Sequence, residues 1–168
     1  VFGTGLHQTT QLCMLQLEKY IDENSVVADL GCGSGILSVV ALLLGAKSAF
    51  AVDIDANAIK TAYENADLSG VDKSKYYVTS GNVIDDKALQ DEIGYDKYDV
   101  VVANIIADVI CAISPVVPKQ LKKGGVFIAS GIIKDRIDDV YKALAEVGLK
   151  VIDTSIKDEW VSITSIKE

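Results

Sequence analysis

Residues 26–35 read Val-Val-Ala-Asp-Leu-Gly-Cys-Gly-Ser-Gly, and the apolar run Ile-Leu-Ser-Val-Val-Ala-Leu-Leu-Leu follows at 36–44. A β-branched run, glycine at every second position and a long apolar run predict a buried strand, a tight turn and a buried helix. Gly31 and Gly33 permit positive φ and let a ligand approach main-chain N–H groups that a Cβ would shield. Gly35 is placed to open the helix. The turn is therefore predicted to bind a ligand, the alternative being a tight turn that binds none.

The spacing of these glycines separates two classes of cofactor. A dinucleotide fingerprint requires a third glycine at the position of Ile36, where the helix N-terminus meets a pyrophosphate. Ile36 therefore counts against NAD and FAD. The run Asp-Leu-Gly-Cys-Gly-Ser-Gly at 29–35 resembles instead the first motif of class I S-adenosylmethionine (AdoMet) methyltransferases, whose cofactor has no phosphate for a helix to hold. AdoMet is the cofactor that this resemblance implies.

Two acids follow the next apolar run. The sequence Ser-Ala-Phe-Ala-Val-Asp at 48–53 predicts a strand whose last residue, Asp53, lies roughly 20 residues beyond the glycines. A doubly wound sheet carries its acceptor for ribose hydroxyls at this point, so Asp53 is predicted to bind the ribose. Asp55 directly precedes a helical run at 56–68 and is predicted to cap that helix rather than to take part in chemistry.

A third strand, predicted at 76–80, runs into Gly81, Asn82 and Val83. Because ligands collect at the carboxyl ends of the strands in an open α/β sheet, this end is expected to face the cofactor. Asn82 is predicted to hydrogen-bond the adenine, and Val83 is predicted to pack on its ring. The alternative for Asn82 is an ordinary turn asparagine.

The fourth predicted strand, 98–103, is apolar throughout its second half and stops at Asn104. Continuous apolar runs are typical of strands in the buried middle of a parallel sheet. A carboxamide oxygen can accept a hydrogen bond from an amine N–H. Asn104 is therefore our candidate catalytic residue, with the role of orienting a substrate amine, and it is also a candidate cofactor ligand.

The remaining segments complete the predicted fold. They are a helical stretch interrupted by Pro115 and Pro118, a stop signal at 121–125, a strand at 126–130 ended by Gly131, a helix at 135–147, and a hairpin formed by 149–156 and 160–166. Alternating strands and helices closed by a hairpin predict an α/β, Rossmann-like fold. Its sheet has seven mostly parallel strands with a C-terminal antiparallel hairpin, and helices cover both faces.

Length and charge limit the classes of partner. With 168 residues, of which 49% are hydrophobic, residues 1–168 are predicted to form a single domain. The 24 acidic residues outnumber the 16 basic ones, so the net charge of −8 disfavours nucleic acid and favours a basic protein partner. No apolar run reaches the roughly 18 residues of a membrane span, so no membrane partner is expected.

The three cysteines, Cys13, Cys32 and Cys111, are odd in number and contain no Cys-x-x-Cys pair. Neither a disulfide framework nor a zinc site is therefore suggested, and no metal is expected. A reducing, cytoplasmic setting fits this pattern best.

The opening segment, 1–10, is rich in glycine and threonine and lacks an initiator methionine, so the chain is expected to start inside a longer protein. Thr9 or Thr10 is predicted to cap an amphipathic helix that continues to Ile21. His7, the only histidine, is predicted to be a loop residue with no part in the chemistry.

Four separated segments together resemble the PrmA family, the bacterial methyltransferases of the eleventh protein of the large ribosomal subunit. They are Phe-Gly-Thr-Gly-Leu-His-Gln-Thr-Thr at 2–10, the glycine turn at 29–35, Val-Asp-Ile-Asp at 52–55 and Val-Ala-Asn-Ile at 102–105. The resemblance implies AdoMet contacts from Thr10, Gly31, Asp53 and Asn104, and it makes the opening segment a cover over the cofactor. The family's N-terminal substrate-recognition domain has no counterpart in these 168 residues.

The function implied by the resemblance is transfer of methyl groups from AdoMet to lysine side chains and the N-terminus of that ribosomal protein. Three alternatives stay open: a methyltransferase of nucleic acid or a small molecule, a nicotinamide-dependent oxidoreductase, and an AdoMet-binding module without activity. Amino-methyltransferases that act on bases and glutamine commonly carry Asn-Pro-Pro followed by an aromatic residue, and this signature is absent at Asn104. Ile36 disfavours the oxidoreductase.

Overall fold

The computed structural model describes residues 7–168, in which strands and helices alternate. The helices are α1 (Gln8–Tyr20), α2 (Ile36–Leu43), α3 (Asn57–Leu68), α4 (Lys87–Ile93), α5 (Ala107–Ile113), α6 (Val117–Gln120) and α7 (Ile137–Glu146). The strands are β1 (Val26–Leu30), β2 (Ser48–Asp53), β3 (Tyr76–Ser80), β4 (Tyr98–Asn104), β5 (Leu121–Ile133), β6 (Lys150–Lys157) and β7 (Trp160–Ile166). Single 3₁₀ turns, Lys73–Lys75 and Lys134–Arg136, precede β3 and α7.

The seven strands form one sheet in the order β3-β2-β1-β4-β5-β7-β6. Strands β1 to β5 are parallel, and β7 runs antiparallel to both β5 and β6. The predicted fold class, with its C-terminal antiparallel hairpin, is confirmed. The strand order reverses between β1 and β4, and in open α/β sheets the ligand crevice lies outside the carboxyl ends of the strands at such a point.

Alternate residues of the central strand β4 point to opposite faces of the sheet, and each face has its own core. Val100 and Val102 pack among α1, α2 and α3, whereas Val101 and Ala103 pack among α4, α5 and α7. All four side chains are buried. The prediction that helices cover both faces is therefore confirmed, and the continuous apolar run of β4 is explained by burial on both sides.

The first helix begins earlier than predicted, at Gln8, and neither Thr9 nor Thr10 caps it. Both threonines lie in the first turn and are fully buried. The cap is His7, whose Nδ1 accepts a hydrogen bond from Thr9 N. A cap must accept from a main-chain N–H of the first turn, and an imidazole nitrogen does so here in place of the expected hydroxyl.

The boundaries of β5 also differ from the prediction. The segment 121–125 belongs to the strand, since Leu121 pairs with Tyr98 across a register shift. Gly131 does not end the strand, because Ile132 and Ile133 continue to pair with β7 beyond an irregularity between Ala129 and Ile132. Gly131 has a φ of 82°, so the glycine forms a bulge in a strand that continues.

Within residues 7–168 no helix is both long and apolar enough to cross a membrane. The cysteines at 13, 32 and 111 are free thiols. In the same part of the chain, no group of three His, Cys, Asp or Glu side chains could hold a metal ion.

Candidate active site

A cavity of about 350 Å³ opens at the carboxyl ends of β1, β2 and β3, beside α5. Its walls are mainly apolar, and its few polar groups come from the ends of β2 and β3. The lining residues are Leu30, Gly31, Val52, Asp53, Ile54, Gly81, Asn82, Val83, Ile84, Ile105, Val109 and Ile113. A mostly apolar cleft with a few polar groups is the usual form of a small-molecule site.

The glycine turn is fixed to the neighbouring strand by its backbone. Gly31 N and Cys32 N both donate to Val52 O, at 2.7 and 2.9 Å. Gly31, Gly33 and Gly35 all have positive φ, between 53° and 80°. A Cβ at Gly33 would meet no atom within 4 Å, so this glycine borders open space where a ligand can approach the main chain.

Asp53 ends β2 with its carboxylate between two main-chain amides. Oδ2 accepts from Gly33 N at 2.8 Å, and Oδ1 accepts from Asp55 N at 2.9 Å. The side chain is half-buried, and each carboxylate oxygen has further lone pairs for a ligand donor. Asp55 was predicted to cap α3, but the N-cap is Ala56, which makes no side-chain cap bond; Asp55 Oδ1 instead accepts from Asn57 N, two residues on, at the start of the helix.

Asn104 ends β4 with its carboxamide directed into the core of the site. Its Nδ2 donates to Thr10 Oγ1 at 3.2 Å, whereas Oδ1 is buried and has no hydrogen-bond partner among the described residues. A buried polar atom without a partner is costly, and such an atom calls for an explanation. An incoming N–H donor would satisfy this oxygen.

The β5 bulge packs directly behind Asn104. A Cβ on Gly131 would lie 2.7 Å from Ile105 O and 3.1 Å from Asn104 Oδ1, so only glycine fits. Ser130 O accepts from Ile105 N, and Ser130 Oγ donates to Thr9 O. The end of β4 is therefore held between β5 and the first turn of α1.

Asn82 and Val83 follow β3 on the far side of the cavity. Val83 is buried and lines it, whereas Asn82 Oδ1 accepts from Ile84 N at 3.0 Å and so forms a turn. Asn82 therefore forms the turn that was its alternative role, and because the residue also lines the cavity, its hydrogen bond to adenine stays a prediction.

Asp29 lies beneath the glycine turn, and sequence reasoning gave it no role. It is buried, and its Oδ2 accepts from Ser38 Oγ. Burial raises the pKa of Asp29 to about 6, and the nearby charge of Asp53 adds to the rise, whereas the Ser38 hydrogen bonds lower it. Burial, with Asp29 and Asp53 close by, also raises the pKa of the Cys32 thiol well above its ordinary value, which disfavours the thiolate that a nucleophilic cysteine requires.

A smaller cavity of about 50 Å³ joins these groups. It is lined by Asp29, Gly31, Cys32, Gly33, Ser34, Ile36, Leu37 and Asn104. The predicted site residues therefore fall around two adjacent spaces: Gly31, Asp53, Asn82 and Val83 around the larger one, and Gly31, Gly33 and Asn104 around the smaller one. Thr10 reaches them through its hydrogen bond with Asn104.

Comparison with known proteins agrees with this arrangement. The family model described as ribosomal protein L11 methyltransferase (PrmA) matches residues 1–168. The chain belongs to the PrmA family. A curated relative from Agathobacter rectalis, named ribosomal protein L11 methyltransferase, is 50% identical over 169 residues, which cover 99% of this chain and 52% of the relative. The chain thus spans about half the length of the curated relatives that it matches.

Solved structures show the same fold. The crystal structure of the ribosomal protein L11 methylase from Lactobacillus delbrueckii subsp. bulgaricus has a TM-score of 0.86 and 33% identity, and it covers 98% of this chain and 80% of that one. An RNA methyltransferase from Salinibacter ruber, solved in complex with S-adenosyl-L-homocysteine, has a TM-score of 0.70 at 20% identity, covering 97% of this chain and 95% of that one. At this identity the second structure shows a shared fold alone.

Two features of this PrmA family site differ from the prediction made from the sequence. The bulge at Ser130 and Gly131 was predicted as a strand end, and the buried Asp29 was passed over as part of the glycine motif. An acid two positions before the first glycine, followed nine positions later by a serine on an otherwise apolar helix, is the signal that could have indicated the Asp29–Ser38 pair. Residues 1–6 of the opening segment, which the resemblance makes a cover over the cofactor, lie outside the described part of the chain, whereas residues 7–10 form the cap and the first residues of α1.

Proposed function

We propose that this chain is an AdoMet-dependent methyltransferase domain that acts on amino groups, lysine side chains and the N-terminus, of the eleventh protein of the large ribosomal subunit. Membership of the PrmA family supports the reaction and its substrate. The observation that carries the chemistry is the buried Asn104 Oδ1, which has no hydrogen-bond partner among the described residues and lies beside the glycine turn.

The residues present fit AdoMet. The apolar cavity near Val83 suits an adenine ring, with the amide group of Asn82 beside it, and Asp53 offers carboxylate oxygens to the ribose hydroxyls. The open face at Gly33 and the backbone at Gly31 suit the part of the ligand that crosses the turn. Asp29 and Asp53 make this region acidic, which favours a cationic ligand. AdoMet supplies a methyl group already activated as a sulfonium.

The remaining task for the protein is to place an amine in line with the methyl group and to exclude water. In our proposal Asn104 Oδ1 accepts an N–H of the substrate amine and orients its lone pair, while Thr10 holds the carboxamide through Nδ2. A lysine of pKa ~10.4 must first lose its proton, at a cost of about 4.6 kcal/mol at pH 7. Burial beside a cationic ligand lowers the pKa of the amine, so a dedicated base is not required.

The charge of the chain fits a basic protein substrate. A net charge of −8 attracts the cationic surface of a ribosomal protein and repels nucleic-acid phosphate. Because ribosomal proteins occur in the cytoplasm, we propose that this chain is located there too.

We also propose that residues 1–168 form one catalytic domain and that strong recognition of the ribosomal protein requires sequence outside them. Curated relatives are about twice as long as this chain. A second module that binds the substrate raises its effective concentration at the active site to about millimolar levels. The domain alone should therefore need much more substrate than a full-length relative.

Methyl transfer to the purified ribosomal protein tests the proposed function. Radiolabelled AdoMet is incubated with the chain and with the full-length Agathobacter rectalis relative over a range of substrate concentrations. We expect transfer by both, with the deficit of the chain shrinking at high concentration, and loss of transfer in Asn104→Ala. Transfer to RNA or a small amine but not to the protein would overturn the substrate assignment. Full activity of Asn104→Ala would overturn the role of Asn104.

A further inference from the structure

The N-terminal end of α1 contacts the end of β6 and the turn that joins it to β7. Gln8 Nε2 donates to Asp158 Oδ2 at 2.5 Å, and Lys157 Nζ donates to Gln11 Oε1 at 2.6 Å. The two partners of each bond are about 150 and 146 residues apart in the sequence. Two polar contacts from consecutive hairpin residues therefore reach the first turn of the helix.

The same helical turn contacts the candidate active site on its inner side. Thr10 Oγ1 accepts from Asn104 Nδ2, and Thr9 O accepts from Ser130 Oγ. One turn of α1 thus has the hairpin on one side and the ends of β4 and β5 on the other. Movement of this turn would move the hydroxyl that holds the Asn104 carboxamide.

The backbone of Asp158 adds a second, independent observation. Its φ is 56°, in the left-handed region, and Asp96 is the one other non-glycine residue with positive φ within residues 7–168. Aspartate adopts this region more readily than most non-glycine residues, but at a cost in free energy that glycine does not have. Glycine would relax the turn, but it would remove the carboxylate that Gln8 contacts.

We propose that Asp158 is a positioning residue for the cofactor site. Together with Lys157, it holds the first turn of α1 so that Thr10 keeps Asn104 in place. We call the Gln8–Asp158 and Gln11–Lys157 hydrogen bonds the latch. This inference rests on the proposed function. Asp158 contacts neither cofactor nor substrate in this account and acts through Gln8 and Thr10.

Loss of the latch should loosen the site without unfolding the protein. The rest of α1 is anchored by the buried Leu12, Cys13 and Leu17, and Gln16 accepts from Thr164 and donates to Ser155. An exposed hydrogen bond contributes little to global stability, so its removal acts mainly on the terminal turn of the helix.

Three variants separate positioning from stability. Asp158→Gly removes the carboxylate and relieves the backbone, whereas Asp158→Asn keeps an acceptor for Gln8 and a residue that tolerates positive φ. Asp96→Gly is the matched control, because Asp96 has a φ of 49° and pairs with Lys167 away from α1. Each variant is measured for thermal midpoint, for AdoMet dissociation constant by calorimetry, and for hydrogen exchange of the amides in α1.

For Asp158→Gly we expect an unchanged or higher thermal midpoint, faster exchange at the start of α1, and an AdoMet dissociation constant raised about three- to tenfold, or about 0.6–1.4 kcal/mol. Asp158→Asn and Asp96→Gly should bind AdoMet like the parent. Unchanged affinity and unchanged exchange in Asp158→Gly, or equal losses of stability and affinity in both Asp158 variants, would overturn the latch. If the parent chain fails to bind AdoMet, the proposed function is wrong, and the exchange measurement alone decides the latch.

Discussion

Asp29 and Asp53 lie at the carboxyl ends of neighbouring strands, yet their surroundings give them different properties. Asp53 is half-buried and accepts from two main-chain amides, and it faces the larger cavity. Asp29 is buried beneath the turn, where it accepts from Ser38 and its pKa rises to about 6. Both acids could be picked out in the sequence, but their burial could not, because it depends on how strands and helices pack around them.

We expect Asp53→Ala to lower the affinity for the cofactor. The substitution removes charge-assisted hydrogen bonding to the ribose, worth about 1.5–3 kcal/mol in total, so the AdoMet dissociation constant should rise about 10- to 150-fold. Calorimetric titration measures it. Asp55→Ala is the control, because it removes a hydrogen bond to Asn57 N in the same loop and should leave the affinity unchanged. Equal effects of the two substitutions would show that loop stability, not ribose binding, explains the loss.

The raised pKa of Asp29 should make the stability of the protein depend on pH. An acid whose pKa is higher in the folded state favours folding when protonated, and this contribution is lost as pH rises through about 6. Asp29→Asn stays neutral and can still accept from Ser38. Between pH 5 and 7.5, the free energy of unfolding of the parent should therefore fall by about 1–1.5 kcal/mol relative to the variant. Urea titrations at both pH values measure it, and a constant difference would contradict the buried, proton-binding state.

At the scale of elements, strand ends were predictable where an apolar run stopped at a polar or glycine residue, as at Leu30, Asp53 and Asn104. The prediction for β5 was wrong at both ends. A glycine such as Gly131 is common both in the turn after a strand and in a bulge, because it tolerates the positive φ that either can need, and only pairing with β7 distinguishes the two. The pairing of Leu121 with Tyr98 is likewise a tertiary contact that local sequence does not encode.

The β5 bulge predicts a site-specific effect of adding a methyl group. Gly131→Ala and Gly124→Ala place alanine at nearly the same backbone geometry, with φ values of 82° and 85°. A Cβ at Gly124 meets no atom within 4 Å, whereas at Gly131 it crowds Ile105 O and Asn104 Oδ1. We expect similar backbone strain, about 1 kcal/mol, in both variants but loss of methyl transfer in Gly131→Ala alone. Equal activity in the two variants would show that the bulge does not support Asn104.

At the scale of the whole molecule, the site combines residues that are distant in the sequence. Thr10 and Asn104 are 94 positions apart, and Thr9 and Ser130 are 121 apart. The sequence predicted Gly31, Asp53 and Asn104 because a doubly wound sheet gathers the ends of its central strands at one edge. It did not predict that α1 would dock beside them, since the bonds to β5 and to the hairpin exist only after folding.

The chain is expected to bind AdoMet at the carboxyl ends of β1, β2, β3 and β4. Calorimetric titration of the 168-residue chain with AdoMet, and separately with NADH, is the decisive measurement. We expect saturable binding of one AdoMet per chain and no binding of NADH, because Ile36 stands where a dinucleotide site needs glycine. Binding of NADH without binding of AdoMet would show that the cofactor assignment is wrong.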